Sequence, residues 1–151
     1  VQTFSKSRSL AGMRIGYAFG NPELIKYLND VKYSFNSYTM NLPSQVMGVE
    51  AVKDDVYFKE TTAKIVATRE RIKKELSQLG FTFPDSKANF IFASHKEVPA
   101  EELFLALRTA DIYVRHWNKE RIANSLRISV GTDEEMDRLI AFLKEYLEKR
   151  A

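Results

Sequence analysis

Residues 1–20 read VQTFSKSRSLAGMRIGYAFG, in which two apolar runs enclose a polar loop that carries one lysine. The apolar runs predict the end of a buried strand over residues 1–4 and a second strand over residues 14–19. A hydroxyl-rich turn over residues 5–9 connects them. Lys6 then lies where the first strand ends, and the second strand returns the chain to the same place.

Lys6 can be interpreted in two ways. A lysine between two strands is usually a solvated loop residue. A lysine that forms a Schiff base with a carbonyl must instead lose its proton readily in a partly desolvated pocket. The neighbouring residues favour the second reading, because the hydroxyls of Ser5 and Ser7, the guanidinium of Arg14 and the nearby glycines suit a phosphate beside that carbonyl.

The motif from Thr3 to Tyr17, T-x-S-K-x-x-x-L-A-G-x-R-x-G-Y, resembles the cofactor attachment segment of class I/II (fold type I) aminotransferases. The resemblance implies an α/β fold, namely the C-terminal portion of a fold type I transferase with a small α+β domain. It also implies that Lys6 is the catalytic lysine that holds pyridoxal 5'-phosphate, and that Ser5 and Arg14 bind the phosphate of this cofactor.

Composition excludes several classes of site. The chain has 151 residues, 44% hydrophobic and 28% charged, which is ordinary for a folded domain with a core. The net charge is +3 and basic residues alternate with acids, so no basic stripe for nucleic acid is predicted. The absence of cysteine excludes disulfides and thiolate sites, and two histidines are too few for a histidine-based metal site.

No signal peptide or long apolar span is evident, so a cytoplasmic location without a membrane partner is expected.

The sequence predicts three parts. Residues 1–54 are the end of a large cofactor-binding domain, 55–79 a long connecting helix, and 80–151 a small C-terminal α+β domain. The chain opens directly in a strand at Val1, and by resemblance it is the C-terminal part of a longer enzyme. In that family, the residues that pair the pyridine nitrogen and stack on the ring lie upstream of the lysine.

Two helices are predicted before the long one. Asn21 begins the first as an N-cap, and the helix runs to about Tyr33. Its apolar residues are predicted to form one buried face: Leu24, Ile25, Leu28 and Val31. Residues 34–42 are predicted to be a loop, either a packed connector or a segment facing a dimer partner. The second helix covers about 43–54.

The long helix has a narrow apolar stripe and many basic residues. The basic residues are predicted to form a solvated face: Lys64, Arg69, Arg71, Lys73 and Lys74. The small domain is predicted to contain strands at 81–83, 88–93, 113–115 and 125–130, with a helix from 99 or 100 to 110. A last helix begins at Thr132 with a capping box.

Arg127 lies in the alternating strand S-L-R-I-S-V, residues 125–130, with its neighbours Leu126 and Ile128 on the core face. Such an arginine could simply face solvent. The segment L-R-I-S-V-G-T resembles the family segment whose arginine binds the acidic group of the substrate. A guanidinium suits this role because it makes two parallel charge-assisted hydrogen bonds.

Arg115 lies in I-Y-V-R-H-W, residues 112–117, where a surface or capping role is the alternative. A substrate phosphate dianion is better held by two arginines than by one. The segment resembles the histidinol-phosphate branch of the family, in which a matching arginine contributes to the phosphate site. His116 and Trp117 are more simply packing residues.

The resemblance implies a homodimeric enzyme that transaminates histidinol phosphate with 2-oxoglutarate or glutamate, in histidine biosynthesis. Its small-molecule partners are therefore a phosphorylated amino substrate and a 2-oxo acid. Aromatic or other amino-acid aminotransferases and threonine-phosphate decarboxylases share the lysine segment and stay open as alternatives. A catalytically silent association domain is the non-enzymatic alternative for this chain alone.

Overall fold

The computed structural model describes residues 1–150. The strands are β1 Gln2–Thr3, β2 Gly16–Tyr17, β3 Phe81–Thr82, β4 Phe90–His95, β5 Arg115–His116 and β6 Leu126–Ser129. The helices are α1 Phe4–Ser7, α2 Pro22–Phe35, α3 Leu42–Lys53, α4 Asp55–Gln78, α5 Ala100–Thr109 and α6 Asp133–Glu148, with a 3-10 turn at Ala11–Met13. Within residues 1–150, no helix is both long enough and apolar enough to cross a bilayer.

The chain divides into two compact units, Val1–Thr62 and the residues from Ala63 onward. The boundary falls inside α4, so this helix contributes its first two turns to the first unit and the rest to the second. The domain limits predicted above, at 54 and 79, stay a prediction.

The first unit is built around a hairpin and α3. Strands β1 and β2 pair antiparallel, with Thr3 opposite Gly16. The helix packs closely on this hairpin at Gly48, where a Cβ would lie only 2.9 Å from the Ile15 Cδ1 atom. The hydroxyl of the buried Ser44 donates to the Met13 carbonyl at 2.7 Å and fixes the same contact.

The first two strands are shorter than the sequence predicts. The predicted buried strand over residues 1–4 is wrong, because only Gln2 and Thr3 are extended and both are exposed. Phe4 is buried but already begins a helical turn. The predicted strand over 14–19 contracts to Gly16–Tyr17, since Arg14 adopts a left-handed conformation with φ 56°.

Helix α2 begins as predicted, with the Asn21 side chain accepting from the Glu23 N–H at 2.8 Å. Its predicted buried face is wrong. Leu24, Leu28 and Val31 are 61%, 56% and 67% exposed, because no element among residues 1–150 covers this face. Periodicity identified the helix and its apolar side, but it cannot say whether a neighbour packs there.

The second unit is an antiparallel sheet covered by helices. The strand order is β3-β4-β6-β5. Its core combines residues from the sheet with residues from α4, α5 and α6: Ile72, Leu76, Ile91, Ala93, Leu103, Leu107, Leu126, Ile128, Met136, Leu139, Ile140 and Leu143. The predicted capping box at the start of α6 is confirmed, because Thr132 and Glu135 each accept a backbone N–H from the other.

The predicted solvated face of α4 is partly wrong. Arg69 is only 5% exposed. Its guanidinium pairs with Glu70 at 2.9 Å and donates to the Ala88 carbonyl at 3.2 Å. Lys73 is half-buried and bonds Glu70 and Asp85. Sequence spacing cannot detect such burial, because two of the acceptors, Ala88 and Asp85, lie in a loop further along the chain.

Candidate functional site

The predicted cofactor lysine lies in the short helix α1. The turn is closed by Thr3, whose Oγ1 accepts from the Ser5 N–H at 3.1 Å and whose carbonyl accepts from the Ser7 hydroxyl at 2.9 Å. Phe4 anchors the turn in the interior of the unit, and this directs the following residues outward. Lys6 is exposed and its side chain forms no hydrogen bond within the described part of the chain. The partly desolvated pocket expected around this amine is therefore not formed by residues 1–150.

The hairpin returns the chain to this turn. The Ile15 carbonyl accepts from the Phe4 N–H at 3.0 Å and from the Thr3 hydroxyl at 3.2 Å. Gly16 eases this approach, since a Cβ there would lie at a tight 3.2 Å from the Gln2 carbonyl oxygen. These bonds close the loop that separates Lys6 from Arg14.

Ser5, Lys6 and Arg14 are thus on one closed loop, but their side chains do not bond to each other. The Ser5 hydroxyl lies 2.9 Å from the Thr3 Oγ1 atom. The Arg14 guanidinium donates to the Ala11 carbonyl at 2.8 Å. Two hydroxyls, one amine and one guanidinium on an exposed loop suit a phosphorylated aldehyde, because they offer several donors for the phosphate and a nucleophile for the carbonyl.

Arg8 was not predicted as a functional residue. It is half-buried, and its guanidinium lies 3.9 Å from the centroid of the Phe58 ring and donates to the Ala51 carbonyl. A cavity of about 240 Å³ lies beside this contact, between the lysine turn, the C-terminal end of α3 and the N-terminal end of α4. Its signal in the sequence is weak, namely a long cation placed between two serines.

The second group of predicted site residues, Arg115 and Arg127, lies on the sheet of the second unit. Arg115 and Arg127 are opposite each other in the antiparallel pairing of β5 with β6. Directly opposed residues of an antiparallel pair share one face of the sheet. The tertiary fold therefore brings together the two arginines that the sequence analysis selected separately.

Aromatic rings surround the Arg127 guanidinium. Its central carbon lies 5.4 Å from the Phe90 ring centroid and 5.7 Å from that of Trp117. The Arg127 Nε atom is buried without a hydrogen-bond partner. A buried donor without a partner is costly, and a bound water or anion is one explanation for such a group.

Arg115 is exposed and lies 5.9 Å from the same Trp117 ring. Within residues 1–150, neither arginine of the pair forms an ion pair with an acidic side chain. The predicted packing role of His116 agrees with its contacts, since its Nε2 lies 2.6 Å from the Ala123 carbonyl and its ring 5.6 Å from that of Phe104.

The lysine motif of the first unit and the arginine motif of the second are the features that resemble those of fold type I aminotransferases. The family model for aminotransferase class I and II matches residues 1–143. The chain belongs to this family. The fold prediction, the C-terminal portion of a fold type I transferase, is also confirmed.

Relatives with high identity share one name. A histidinol-phosphate aminotransferase of Lactococcus lactis subsp. cremoris is 53% identical over 150 residues, which are 99% of this chain and 42% of the relative. That of Brachyspira hyodysenteriae is 54% identical over 144 residues, covering 95% of this chain and 41% of the relative. The chain thus spans about two fifths of the length of these relatives and corresponds to their C-terminal part.

A solved structure supports the same fold. The histidinol-phosphate aminotransferase of Sinorhizobium meliloti, in complex with pyridoxal-5'-phosphate, superposes with a TM-score of 0.77 and 28% identity. The match covers 99% of this chain and 40% of that protein. The resemblance noted from the lysine and arginine motifs, including its histidinol-phosphate branch, is therefore confirmed.

Proposed function

We propose that the whole protein transfers the amino group of histidinol phosphate to 2-oxoglutarate, with pyridoxal 5'-phosphate as cofactor. The observation that carries this proposal is the pair of Arg115 and Arg127, two arginines at directly opposed strand positions without an acidic partner in the described chain. The relatives at 53% and 54% identity, both named histidinol-phosphate aminotransferases, support the same substrate.

The cofactor would be held by the loop of the first unit. Lys6 would hold its aldehyde through Nζ, while the Ser5 hydroxyl and the Arg14 guanidinium would bind its phosphate. The bound cofactor supplies an electron-withdrawing ring that stabilises the charge left when a proton leaves the substrate carbon. The amine of Lys6 would be freed when the substrate amine takes its place on the aldehyde, and it would then carry that proton, because an amine close to the reacting carbon can act as a general base.

The substrate phosphate would be bound by Arg115 and Arg127. A phosphate dianion accepts several charge-assisted hydrogen bonds, and it would supply the partner that the buried Arg127 Nε lacks. The rings of Phe90 and Trp117 lie beside the guanidinium of the half-buried Arg127 and cover part of it. Each charge-assisted bond is stronger in such a partly dry site than in bulk water.

The partner and location predictions belong to the same proposal. We expect the whole protein to form a homodimer and to work in the cytoplasm, as the family resemblance implies. For the 151-residue chain alone we expect weak cofactor binding, because Lys6 is exposed and residues 1–150 provide no pocket around its amine.

The test is turnover by the whole protein, measured as glutamate formed from histidinol phosphate and 2-oxoglutarate. Lys6→Ala should reduce turnover to background, whereas Lys26→Ala, at an exposed lysine paired with Asp30, should leave it unchanged. If phenylalanine is transaminated and histidinol phosphate is not, the substrate assignment is wrong. If Lys6→Ala keeps normal turnover, the entire assignment is wrong.

A further inference from the structure

Arg8 connects the lysine turn to the place where α3 ends and α4 begins. Its guanidinium donates to the Ala51 carbonyl in the last turn of α3, where carbonyl groups lack partners within the helix. The same group lies over the Phe58 ring on α4, 3.9 Å from its centroid. One side chain therefore contacts both helices of the first unit that flank the turn.

The turn needs such an anchor on its C-terminal side. On the N-terminal side, Phe4 is buried and Thr3 caps the helix. On the C-terminal side, Ser9 is exposed and has φ 56°, a left-handed conformation that is unfavourable for serine. A four-residue helix is not stable by itself, so tertiary contacts must hold it.

The position of Lys6 depends on this anchor, because its own side chain makes no hydrogen bond in the described chain. Lys6 and Arg8 are two residues apart, and the backbone N–H of Arg8 donates to the Phe4 carbonyl at 3.2 Å. A displacement of Arg8 would therefore move the backbone that carries the lysine. Reactions of a bound group are sensitive to displacements of about 1 Å.

We propose that Arg8 is a positioning residue, which holds the lysine turn against α3 and α4 and so sets the direction of the Lys6 amine. This inference rests on the proposed function, because it assumes that Lys6 reacts with the cofactor aldehyde. Arg8 itself points into the cleft beside Ala51 and Phe58.

The experiment traps pyridoxal phosphate on the whole protein with borohydride and quantifies the label on Lys6 by peptide mass spectrometry. Arg8→Met should lower the labelling rate about tenfold at a fixed cofactor concentration. Arg8→Lys should restore most of this loss, since an ammonium can still reach the carbonyl and the ring. Lys53→Met, which removes an exposed cation at the end of α3, should label as the wild type does.

Thermal unfolding of every variant separates positioning from loss of fold. Should Arg8→Met not fold, Phe58→Leu replaces it, because this change removes the ring under the guanidinium and keeps an apolar side chain. We then expect slower labelling in a folded protein. Equal labelling of Lys6 in the wild type and in folded Arg8→Met or Phe58→Leu would overturn the inference about Arg8 alone. No label on Lys6 of the wild type would overturn the proposed function and this inference together.

Discussion

Arg115 and Arg127 are directly opposite each other in the antiparallel pair of β5 and β6, and their guanidinium groups lie 5.9 and 5.7 Å from the single tryptophan, Trp117. Like charges in directly opposed positions destabilise a sheet. The unpartnered Nε of Arg127 adds a second cost. We expect an anion bound beside the two side chains to relieve both costs.

Inorganic phosphate should therefore stabilise the chain. At about ten times its dissociation constant, it should add about 1.4 kcal/mol to the free energy of unfolding of the second unit. This corresponds to a rise in Tm of roughly 8 °C for a domain of this size. Trp117 fluorescence should report both the binding and the unfolding, because the ring lies beside both guanidinium groups.

The controls for the phosphate effect are substitutions of single arginines. Arg127→Met and Arg115→Met should each remove most of the stabilisation by phosphate, whereas Arg108→Met, on the exposed side of α5, should keep it. In the whole protein, Arg127→Met should lower kcat/KM for histidinol phosphate by about 10- to 100-fold, the usual cost of a lost charged hydrogen bond. An equal phosphate effect in all three variants would show that phosphate binds elsewhere.

The free energy of unfolding should decrease in acid, because Asp133 then takes up a proton. The Arg71 guanidinium, which donates to this carboxylate at 2.9 Å, holds the pKa of Asp133 below its usual value near 3.8, and the Thr68 hydroxyl adds to the effect. Because the folded pKa lies below the unfolded one, the stabilisation is complete above the unfolded value. It is lost as the pH falls through the folded value.

The measurement compares the denaturant stability of wild type and Asp133→Asn across pH. The difference between them should be constant near neutral pH and should shrink below about pH 4. Glu120→Gln, at an exposed carboxylate, serves as the matched control and should show no such trend. A difference between wild type and Asp133→Asn that is the same at pH 3 and at pH 7 would contradict the prediction.

The ring of His95 should stabilise the turn after β4 through its hydrogen bonds. It is 6% exposed, and its Nδ1 accepts from the Glu97 and Val98 N–H groups at 3.2 and 3.0 Å. Its Nε2 donates to the Leu79 carbonyl at 2.9 Å. His95→Ala should cost about 2–3 kcal/mol in the free energy of unfolding, because it leaves buried backbone groups without partners.

Two comparisons test the role of the His95 ring nitrogens. His95→Phe keeps a ring of similar shape but no acceptor, so it should also be destabilised. Lys96→Ala, at the exposed neighbouring position, should change the free energy of unfolding by less than about 0.5 kcal/mol. A His95→Phe variant as stable as the wild type would mean that the ring acts by packing alone.

Arg69 should stabilise the loop before β4. Arg69→Met should cost about 2–3 kcal/mol, because the Ala88 carbonyl loses its donor and Glu70 loses its buried partner. The free energy of unfolding of Arg69→Lys should lie between those of the wild type and Arg69→Met, since an ammonium cannot reproduce the two-pronged geometry of the guanidinium. Lys74→Met, on the exposed side of the same helix, is the control. Equal stability of Arg69→Met and Lys74→Met, measured by chemical denaturation, would exclude a role for the buried guanidinium.

Elements with strong local signals could be predicted from sequence. The N-cap at Asn21, the capping box at Thr132 and the alternation around Arg127 depend on residues a few positions apart, so the sequence shows them directly. Strand ends near Lys6 and the burial of Arg69 could not be predicted. They depend on the Ile15 carbonyl and on the Ala88 carbonyl, which are distant in sequence from the residues they bond.

By itself, the sequence determined the five long helices α2–α6, the order of the strands along the chain and the residue types of both candidate sites. Local propensity and a motif of fixed spacing carry that information. Only the tertiary structure decided that Arg115 and Arg127 are neighbours, that Arg127 Nε lacks a partner and that Arg8 joins the lysine turn to Ala51 and Phe58. These relationships arise from strand register and from the packing of separate elements, which bring together groups that no sequence spacing connects.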